Sequence, residues 1–177
     1  MPLTEEIVKK YSKEDEQTVR VMNKCKGARK RGYLTKEEFI AICRWKSPRP
    51  LKHYNKNSEK RIKELTQKAF STQFEKRKIT LLDKLSGVNV PMASAIITLV
   101  FPEKYGVIDV RGWNSLKRLK IIKSSETKRK RYFDARDWYR YTMIVRHLAK
   151  KFKVTPRIMD RVLYFYDIDT TSDKIYG

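Results

Sequence analysis

An aspartate that follows a glycine-containing turn is the feature of this chain best suited to chemistry. The turn lies in the segment Leu85-Ser86-Gly87-Val88-Asn89. The aspartate is Asp109, which directly follows the apolar pair Val107-Ile108. A tight turn presents backbone amides to an anion, and a carboxylate can act on a nearby reacting centre. The two features together predict a phosphate clamp with a carboxylate close by.

The clamp is predicted to be a helix-hairpin-helix over about residues 79–101. Apolar residues recur at nearly helical spacing over 79–85, and Gly87 permits the left-handed backbone that reverses the chain. Pro91 suits the first turn of the second helix. The turn amides and the positive end of that helix would bind a DNA phosphate without regard to sequence. We expect Lys84 and the turn residues Gly87, Val88 and Asn89 to contact DNA. An ordinary helical hairpin packed in a core is the alternative.

Asp109 also has a purely structural interpretation. Aspartate is among the best helix N-caps, and the residues from Val110 onward have a helical pattern. A cap and a reactive group are compatible roles, because the positive end of a helix stabilises the charged carboxylate. Both interpretations of Asp109 therefore stay open.

The charge balance favours a polyanionic partner. Lys and Arg number 42 against 20 Asp and Glu, a net charge of +22, and the pI is about 10.0. This excess is far larger than solubility requires. DNA, RNA and acidic membranes are all compatible with charge alone, and among them we expect double-stranded DNA. The basic segment 117–131 predicts a loop that faces phosphate, with Lys128, Arg129, Lys130 and Arg131 as contacts.

The length and the helix signals predict a single all-α domain over residues 1–177. With 40% hydrophobic residues, 177 residues are enough for one sizeable core. Helix caps recur at Thr4, Thr35, Ser58 and Thr155, whereas strand signals hardly appear. A further cap is predicted at Ser12, opening a helix that runs to about Ala28.

Hydropathy and cysteine usage limit where in the cell the protein is expected and which metal cofactors it is expected to bind. No apolar run approaches the roughly 20 residues of a membrane helix, and the first six residues lack the apolar stretch that is typical of a signal peptide. We therefore expect an intracellular protein of the cytoplasm or nucleoid, with no membrane and no obligatory protein partner. Cys25 and Cys43 are the only cysteines, and His53 and His147 the only histidines. A zinc site or an iron–sulfur cluster is not expected. Both thiols are expected to be buried and reduced, although a disulfide between them stays an alternative.

The segment from Leu85 to about Trp113 resembles the signature of the helix-hairpin-helix DNA glycosylase superfamily, which includes endonuclease III. In that family a Leu-Pro-Gly-Val-Gly-like hairpin precedes a helix, and an aspartate follows an apolar run. The resemblance implies a DNA glycosylase of base-excision repair that acts on a flipped base. It also implies that Asp109 stabilises the positive charge developing on the deoxyribose as the base leaves.

Departures from the family pattern alter the expected activity. Pro91 occupies the position of the lysine that forms a Schiff base in bifunctional members, so a monofunctional enzyme with weak or no lyase activity is expected. Asn89 replaces the second hairpin glycine and is expected to tolerate the left-handed backbone there. Arg111 stands where the family has histidine and is expected to contact phosphate. Lys46 is an alternative Schiff-base amine.

Two tryptophans, Trp45 and Trp113, are candidates for stacking on an extruded base. No metal or other cofactor is predicted, apart from a monovalent or divalent cation that the hairpin could hold together with a DNA phosphate. Two other functions stay open: a non-catalytic module that recognises abasic sites, DNA ends or junctions, and a general basic protein that binds nucleic acid or ribosomes. A cavity beside Asp109 would favour the enzyme.

Overall fold

The computed structural model describes residues 3–123 and 132–171, and within these ranges the chain is all-α, as predicted. No strand occurs in them. The helices are α1 Glu5–Tyr11, α2 Glu16–Lys24, α3 Lys26–Arg31, α4 Lys36–Lys46, α5 Leu51–Asn55, α6 Glu59–Ser71, α7 Glu75–Leu82, α8 Val90–Val100, α9 Val110–Arg118, α10 Ala135–Lys151 and α11 Pro156–Thr170.

Side-chain caps set most helix starts. Thr4, Thr35, Ser58 and Thr155 cap α1, α4, α6 and α11 as predicted, and Thr35 forms a complete capping box with Glu38. Each cap oxygen accepts a backbone N–H group that has no partner within its helix. These short polar side chains therefore confirm the local sequence signals.

The predicted helix from Ser12 to Ala28 is wrong in two respects. Asp15, rather than Ser12, caps α2 by accepting the N–H of Thr18 at 2.9 Å. The helix then breaks at Cys25, and α3 runs from Lys26 to Arg31 with Gly32 as its C-cap. The short helix α5 was not predicted at all, because a five-residue helix that starts beside Pro50 leaves no usable periodicity in the sequence.

Helix α8 lies at the centre of the molecule. Ten of its eleven residues are buried, and it contacts α2, α3, α4, α7 and α10. A helix that is apolar on all sides requires neighbours on all sides. These five helices surround α8, and one continuous hydrophobic core runs through the described residues.

The turn between α7 and α8 is fixed by its neighbours. Gly87 has a φ of 81°, which confirms the left-handed glycine. The buried side chain of Asn57 accepts the N–H of Ser86 at 2.8 Å and donates to the Ser86 carbonyl at 3.0 Å. Asn89 is not left-handed as predicted: its φ is −111°, and its side chain caps α8 by accepting the N–H of Met92 at 3.0 Å. The extended conformation of Asn89 is favoured because its side chain can then accept a backbone N–H group at the start of α8 that has no partner within the helix.

Cys25 and Cys43 are buried, free thiols rather than a disulfide. Burial raises the pKa of Cys25 to about 12 and raises that of Cys43 further, because an apolar environment disfavours the thiolate. Among the described helices, none is long and apolar enough to cross a membrane.

Gly87 and Gly32 form a matched pair for testing the turn, since both have a φ of 81°. A β-carbon at Gly32 would meet nothing within 4 Å, whereas one at Gly87 would lie 2.9 Å from atoms of His53 and Tyr54. We expect Gly32→Ala to cost about 1–2 kcal/mol from left-handed strain alone. Gly87→Ala should cost about 1–3 kcal/mol more, because α5 must move. Urea unfolding measures both, and equal costs would contradict the packing of the turn against α5.

Candidate functional site

A cavity of about 310 Å³ opens where α2, α4 and α11 meet the segment that precedes α9. Its walls carry both charged and aromatic side chains. The lining residues that matter most for chemistry are Asp15, Trp45, Lys46, Asp109, Asp160 and Tyr164. Two of the sequence-predicted site residues outside the turn, Asp109 and Lys46, thus share one cavity with the predicted stacking residue Trp45.

Asp109 is both a helix cap and a cavity residue. Its Oδ1 accepts the N–H of Gly112 at 2.8 Å, which fixes the carboxylate at the start of α9. Its Oδ2 lies 3.4 Å from the Nζ of Lys46. One oxygen thus caps α9 while the other pairs with Lys46, which lines the same cavity, and the helix-cap interpretation of Asp109 is confirmed.

The segment before Asp109 is held against the central helix. Ile108 is fully buried, and its backbone N–H donates to the Oγ of Ser94 in α8 at 3.1 Å. Ser94 lies four residues beyond Val90, which corresponds to roughly 6 Å along the helix axis at 1.5 Å per residue. The segment before Asp109 is therefore tied to α8 about one helical turn beyond the first residue of that helix.

Lys46 is the last residue of α4, where a cation is favoured by the negative end of the helix. Its side chain is 21% exposed, and that of Asp109 is 12% exposed. An ion pair with this little contact with water is less screened than one on the surface. The sequence had singled out both residues, but their proximity comes only from the fold.

Of the two candidate tryptophans, Trp45 lines the cavity and Trp113 does not. The Nε1 of Trp45 donates to Thr18 at 2.9 Å, and the Arg157 guanidinium lies 5.3 Å from the centre of its ring. Trp113 is 4% exposed and packs against Phe133 in the core. Only Trp45 is therefore placed to touch a molecule in the cavity.

A buried arginine that the sequence analysis missed organises one wall. Arg157 donates to both oxygens of Glu14, at 2.9 and 3.0 Å, and to Asp160 at 2.7 Å. Arg161 donates to Glu14 at 3.2 Å and to Asp15 at 3.1 Å. These pairs hold α11 to the start of α2. The sequence carried only two weak signals for this network. One is a turn that is rich in carboxylates, and the other is a Pro-Arg pair at the start of a distant helix.

Asp160 is a second carboxylate in the cavity wall. Burial, and to a lesser degree the charge of Asp109, raises its pKa to about 6, although Arg157 acts in the opposite direction. The hydroxyl of Tyr141 donates to it at 3.1 Å. The same hydroxyl packs against Gly112, where a β-carbon would overlap it. Tyr141 therefore connects Asp160 to the backbone that binds Asp109.

The remaining predicted DNA contacts are dispersed. Arg111, expected to contact phosphate, pairs at 3.2 Å with the fully buried Asp167, and its side chain is 14% exposed. Lys84, Gly87 and Asn89 are exposed on the glycine turn, whereas the side chain of Val88 is buried. Lys128, Arg129, Lys130 and Arg131 lie outside the described residues. Within residues 3–123 and 132–171, no three acidic, histidine or cysteine side chains converge on a metal position.

Comparison with known proteins finds no relative. No protein-family model matches the chain, and no curated protein or solved structure matches it significantly. The function must therefore be inferred from the residues around the cavity.

The carboxyl group of Asp160 should titrate with a midpoint near pH 6 instead of near 3.8 when it is followed by carbon-13 NMR. Because the native pKa lies above the unfolded value, this group favours folding most below pH 3.8. That contribution is lost as the pH rises through about 6. The spectrum of Asp160→Asn identifies the resonance. A midpoint near 3.8 would contradict this shift and show that the Arg157 charge offsets the effect of burial.

Proposed function

We propose that this protein is a DNA glycosylase that hydrolyses the N-glycosidic bond of a damaged or mismatched base. The observation that carries the proposal is the position of Asp109. Its carboxylate is fixed at a helix start, and the residue lines a cavity of about 310 Å³. That volume is at the lower end of the roughly 300–1,000 Å³ typical of ligand pockets, which suits a single extruded base.

The reaction requires stabilisation of a positive charge that is absent from the substrate and develops as the bond breaks. As the bond between the base and C1′ breaks, its electron pair leaves with the base and positive charge develops on the sugar. The fixed carboxylate of Asp109 stabilises that charge without having to reorganise. A water molecule then adds its oxygen to C1′, and the proton that it loses passes to the departing base. Aromatic side chains along the cavity, Trp45, Tyr164 and Phe165, supply surfaces on which a base can stack.

The glycine turn supplies the contact with the DNA backbone. Within the described part of the chain, no hydrogen bond occupies the backbone N–H groups of Gly87, Asn89 and Val90. Lys84 is exposed beside them, and Arg61 donates to the Lys84 carbonyl at 2.8 Å. Free amides, a helix start and two cations favour a phosphate. The hydrogen bond from Ile108 to Ser94 ties the helix that starts at this turn to the segment before Asp109.

The net charge of +22 supports double-stranded DNA as the partner. An intracellular location follows from that partner. A non-catalytic DNA-binding module would need the same charge and the same turn, but it would not need an open cavity beside a fixed carboxylate. The cavity is the feature that favours catalysis.

Asp109→Asn should separate catalysis from binding. Asparagine can still cap α9, so folding and DNA affinity should largely survive, while the charge that stabilises the sugar cation is lost. We expect excision to fall about 100- to 1,000-fold. The assay uses duplexes that each carry one lesion, followed by alkaline cleavage of abasic products.

Asp134→Asn is the matched control, because Asp134 caps α10 and does not line the cavity. It should leave excision unchanged. Full activity in Asp109→Asn would remove the catalytic role. Absence of excision by the wild-type protein on every lesion would leave a binding module.

Binding should depend steeply on salt. The logarithm of DNA affinity is expected to fall linearly with the logarithm of salt concentration, with a slope of about −0.9 for each phosphate neutralised. Replacing Lys128, Arg129, Lys130 and Arg131 by alanine should make that slope shallower and lower the affinity for DNA of every sequence by the same factor. Fluorescence anisotropy at several salt concentrations measures both effects. A slope near zero for the wild-type protein would contradict binding through the DNA backbone.

A further inference from the structure

Helix α10 has one face packed in the core and one face open to solvent. The packed face contacts α7, α8 and α11. The exposed residues recur three and four positions apart, so they lie along one side of the helix. At 1.5 Å per residue this side is roughly 22 Å long. These residues, termed the α10 surface, are Arg136, Tyr139, Arg140, Met143, His147, Lys150 and Lys151.

The α10 surface is strongly basic. Two arginines, two lysines and a histidine belong to it, and none of its residues is acidic. Within α10, which the structure describes in full, the one acidic residue is Asp137. Its carboxylate accepts the backbone N–H of Asp134 in the capping box at the start of the helix. A face of this charge attracts a polyanion, and it repels the same face of a second copy.

Exposed aromatic rings accompany these cations. Tyr139 is 38% exposed, and the Lys76 ammonium lies 5.9 Å from the centre of its ring. Phe74, two residues before Lys76, is 71% exposed, and Tyr132, shortly before α10, is 79% exposed. A nucleobase can stack on such a ring while a neighbouring cation contacts the phosphate. The bases of a duplex are already stacked and paired, so rings on a protein surface favour unpaired bases.

An open groove of about 410 Å³ continues the surface beyond Tyr139. Its walls are mostly apolar and include Met143 and Ile121, both of which are exposed. Lys151 lies at its edge and adds a cation. A base placed in this groove would remove apolar surface from water, which is favourable.

We propose that the α10 surface binds single-stranded nucleic acid, with Tyr139 stacking on an unpaired base and the adjacent cations contacting phosphates. The order of the residues favours a nucleic acid over a lipid surface. A helix that lies on a membrane has one continuous apolar sector and keeps its cations on the opposite, polar face. Lys150 instead lies two turns beyond Met143 on nearly the same line. Apolar and charged groups thus alternate, as bases and phosphates alternate along a strand.

The α10 surface lies apart from the proposed catalytic cavity. Tyr139 and Tyr141 are two positions apart, which is about 200° around the helix. The hydroxyl of Tyr141 donates to Asp160 in the cavity wall, so Tyr139 is directed away from that wall. Lys76 is in the first turn of α7, whereas the glycine turn follows the end of α7. Binding at the α10 surface therefore does not depend on the proposed glycosylase activity.

The experiment measures the affinity of the whole protein for a fluorescein-labelled oligothymidine of about 15 nucleotides, which cannot pair with itself. Fluorescence anisotropy at fixed salt gives this affinity, and a lesion-free duplex of the same length is measured beside it. An oligouridine of the same length shows whether RNA strands bind as well as DNA strands. We expect the wild-type protein to bind at least one of the two single strands.

Tyr139→Ala removes the ring and keeps every charge. The affinity for the bound single strand should fall about fivefold to tenfold, while the affinity for duplex DNA stays unchanged. Tyr139→Phe keeps the ring and should bind like the wild-type protein. Tyr33→Ala is the matched control, because Lys63 lies 4.7 Å from the Tyr33 ring centre but Tyr33 lies between α3 and α4. It should leave both affinities unchanged.

Crosslinking locates the contact without any substitution, so the test survives a variant that fails to fold. A strand that contains bromodeoxyuridine is irradiated with the wild-type protein, and the attached peptide is identified by mass spectrometry. We expect attachment at Tyr139 or Phe74. Attachment confined to Trp45 and Tyr164 would show that the strand enters the cavity instead, and it would overturn the proposal.

Two further results would also overturn it: no binding of either single strand by the wild-type protein, or equal losses of strand and duplex affinity in Tyr139→Ala. Vesicles of phosphatidylserine and phosphatidylcholine test the lipid alternative. Vesicle binding that Tyr139→Ala weakens, without binding of a strand, would assign the surface to a membrane. Excision of a lesion is not part of any of these measurements, so this proposal and the proposed glycosylase fail separately.

Discussion

The ion pairing of the buried Arg157 guanidinium is the interaction on which the cavity depends. Its side chain is 8% exposed, and its donors reach Glu14 and Asp160. Its backbone N–H donates to the carbonyl of Pro102, and its charged group lies over Trp45. One residue thus joins α11 to the start of α2, to the segment before α9 and to the end of α4. A buried cation is costly unless it is paired with good geometry, and the planar arginine fork provides that geometry.

The ion pairs of this buried arginine explain why the polar side chains in the cavity walls are held in fixed positions. Breaking one partner of a buried ion pair costs about 3–5 kcal/mol, so Glu14 and Asp160 are held where Arg157 needs them. Asp160 in turn accepts a hydrogen bond from the hydroxyl of Tyr141, and that hydroxyl packs against Gly112. Gly112 donates the N–H that orients Asp109. The orientation of Asp109 is therefore coupled through packing to the buried cation.

Local signals in the sequence predicted local structure. The caps at Thr35 and Ser58 and the left-handed Gly87 follow from the chemistry of neighbouring residues, and the structure confirms them. The helical class followed from the same signals. Asn89 and Ser12 were misjudged, because several polar side chains compete to cap a helix and the sequence does not rank them.

The site itself could be predicted only in part. Asp109 and Lys46 were singled out by residue type, but 63 positions separate them and nothing in their spacing predicts contact. Arg157 and Glu14 are 143 positions apart. Helical periodicity shows which face of a helix is apolar, but it does not show which polar residues meet across two helices. The ion pair between Arg111 and Asp167, which are 56 positions apart, could not be predicted for the same reason.

The central claim is that Asp109 stabilises a positively charged sugar in the cavity, and it can be tested without knowing the lesion. The measurement is the ratio of affinities for two duplexes that differ at one nucleotide. One carries a cationic pyrrolidine in place of the deoxyribose, and the other carries the neutral tetrahydrofuran analogue. We expect the wild-type protein to prefer the cationic analogue by at least about tenfold, or 1.4 kcal/mol, because it resembles the charge of the transition state. Asp109→Asn should lose this preference. Equal affinities in the wild-type protein, or an unchanged preference in Asp109→Asn, would contradict the account.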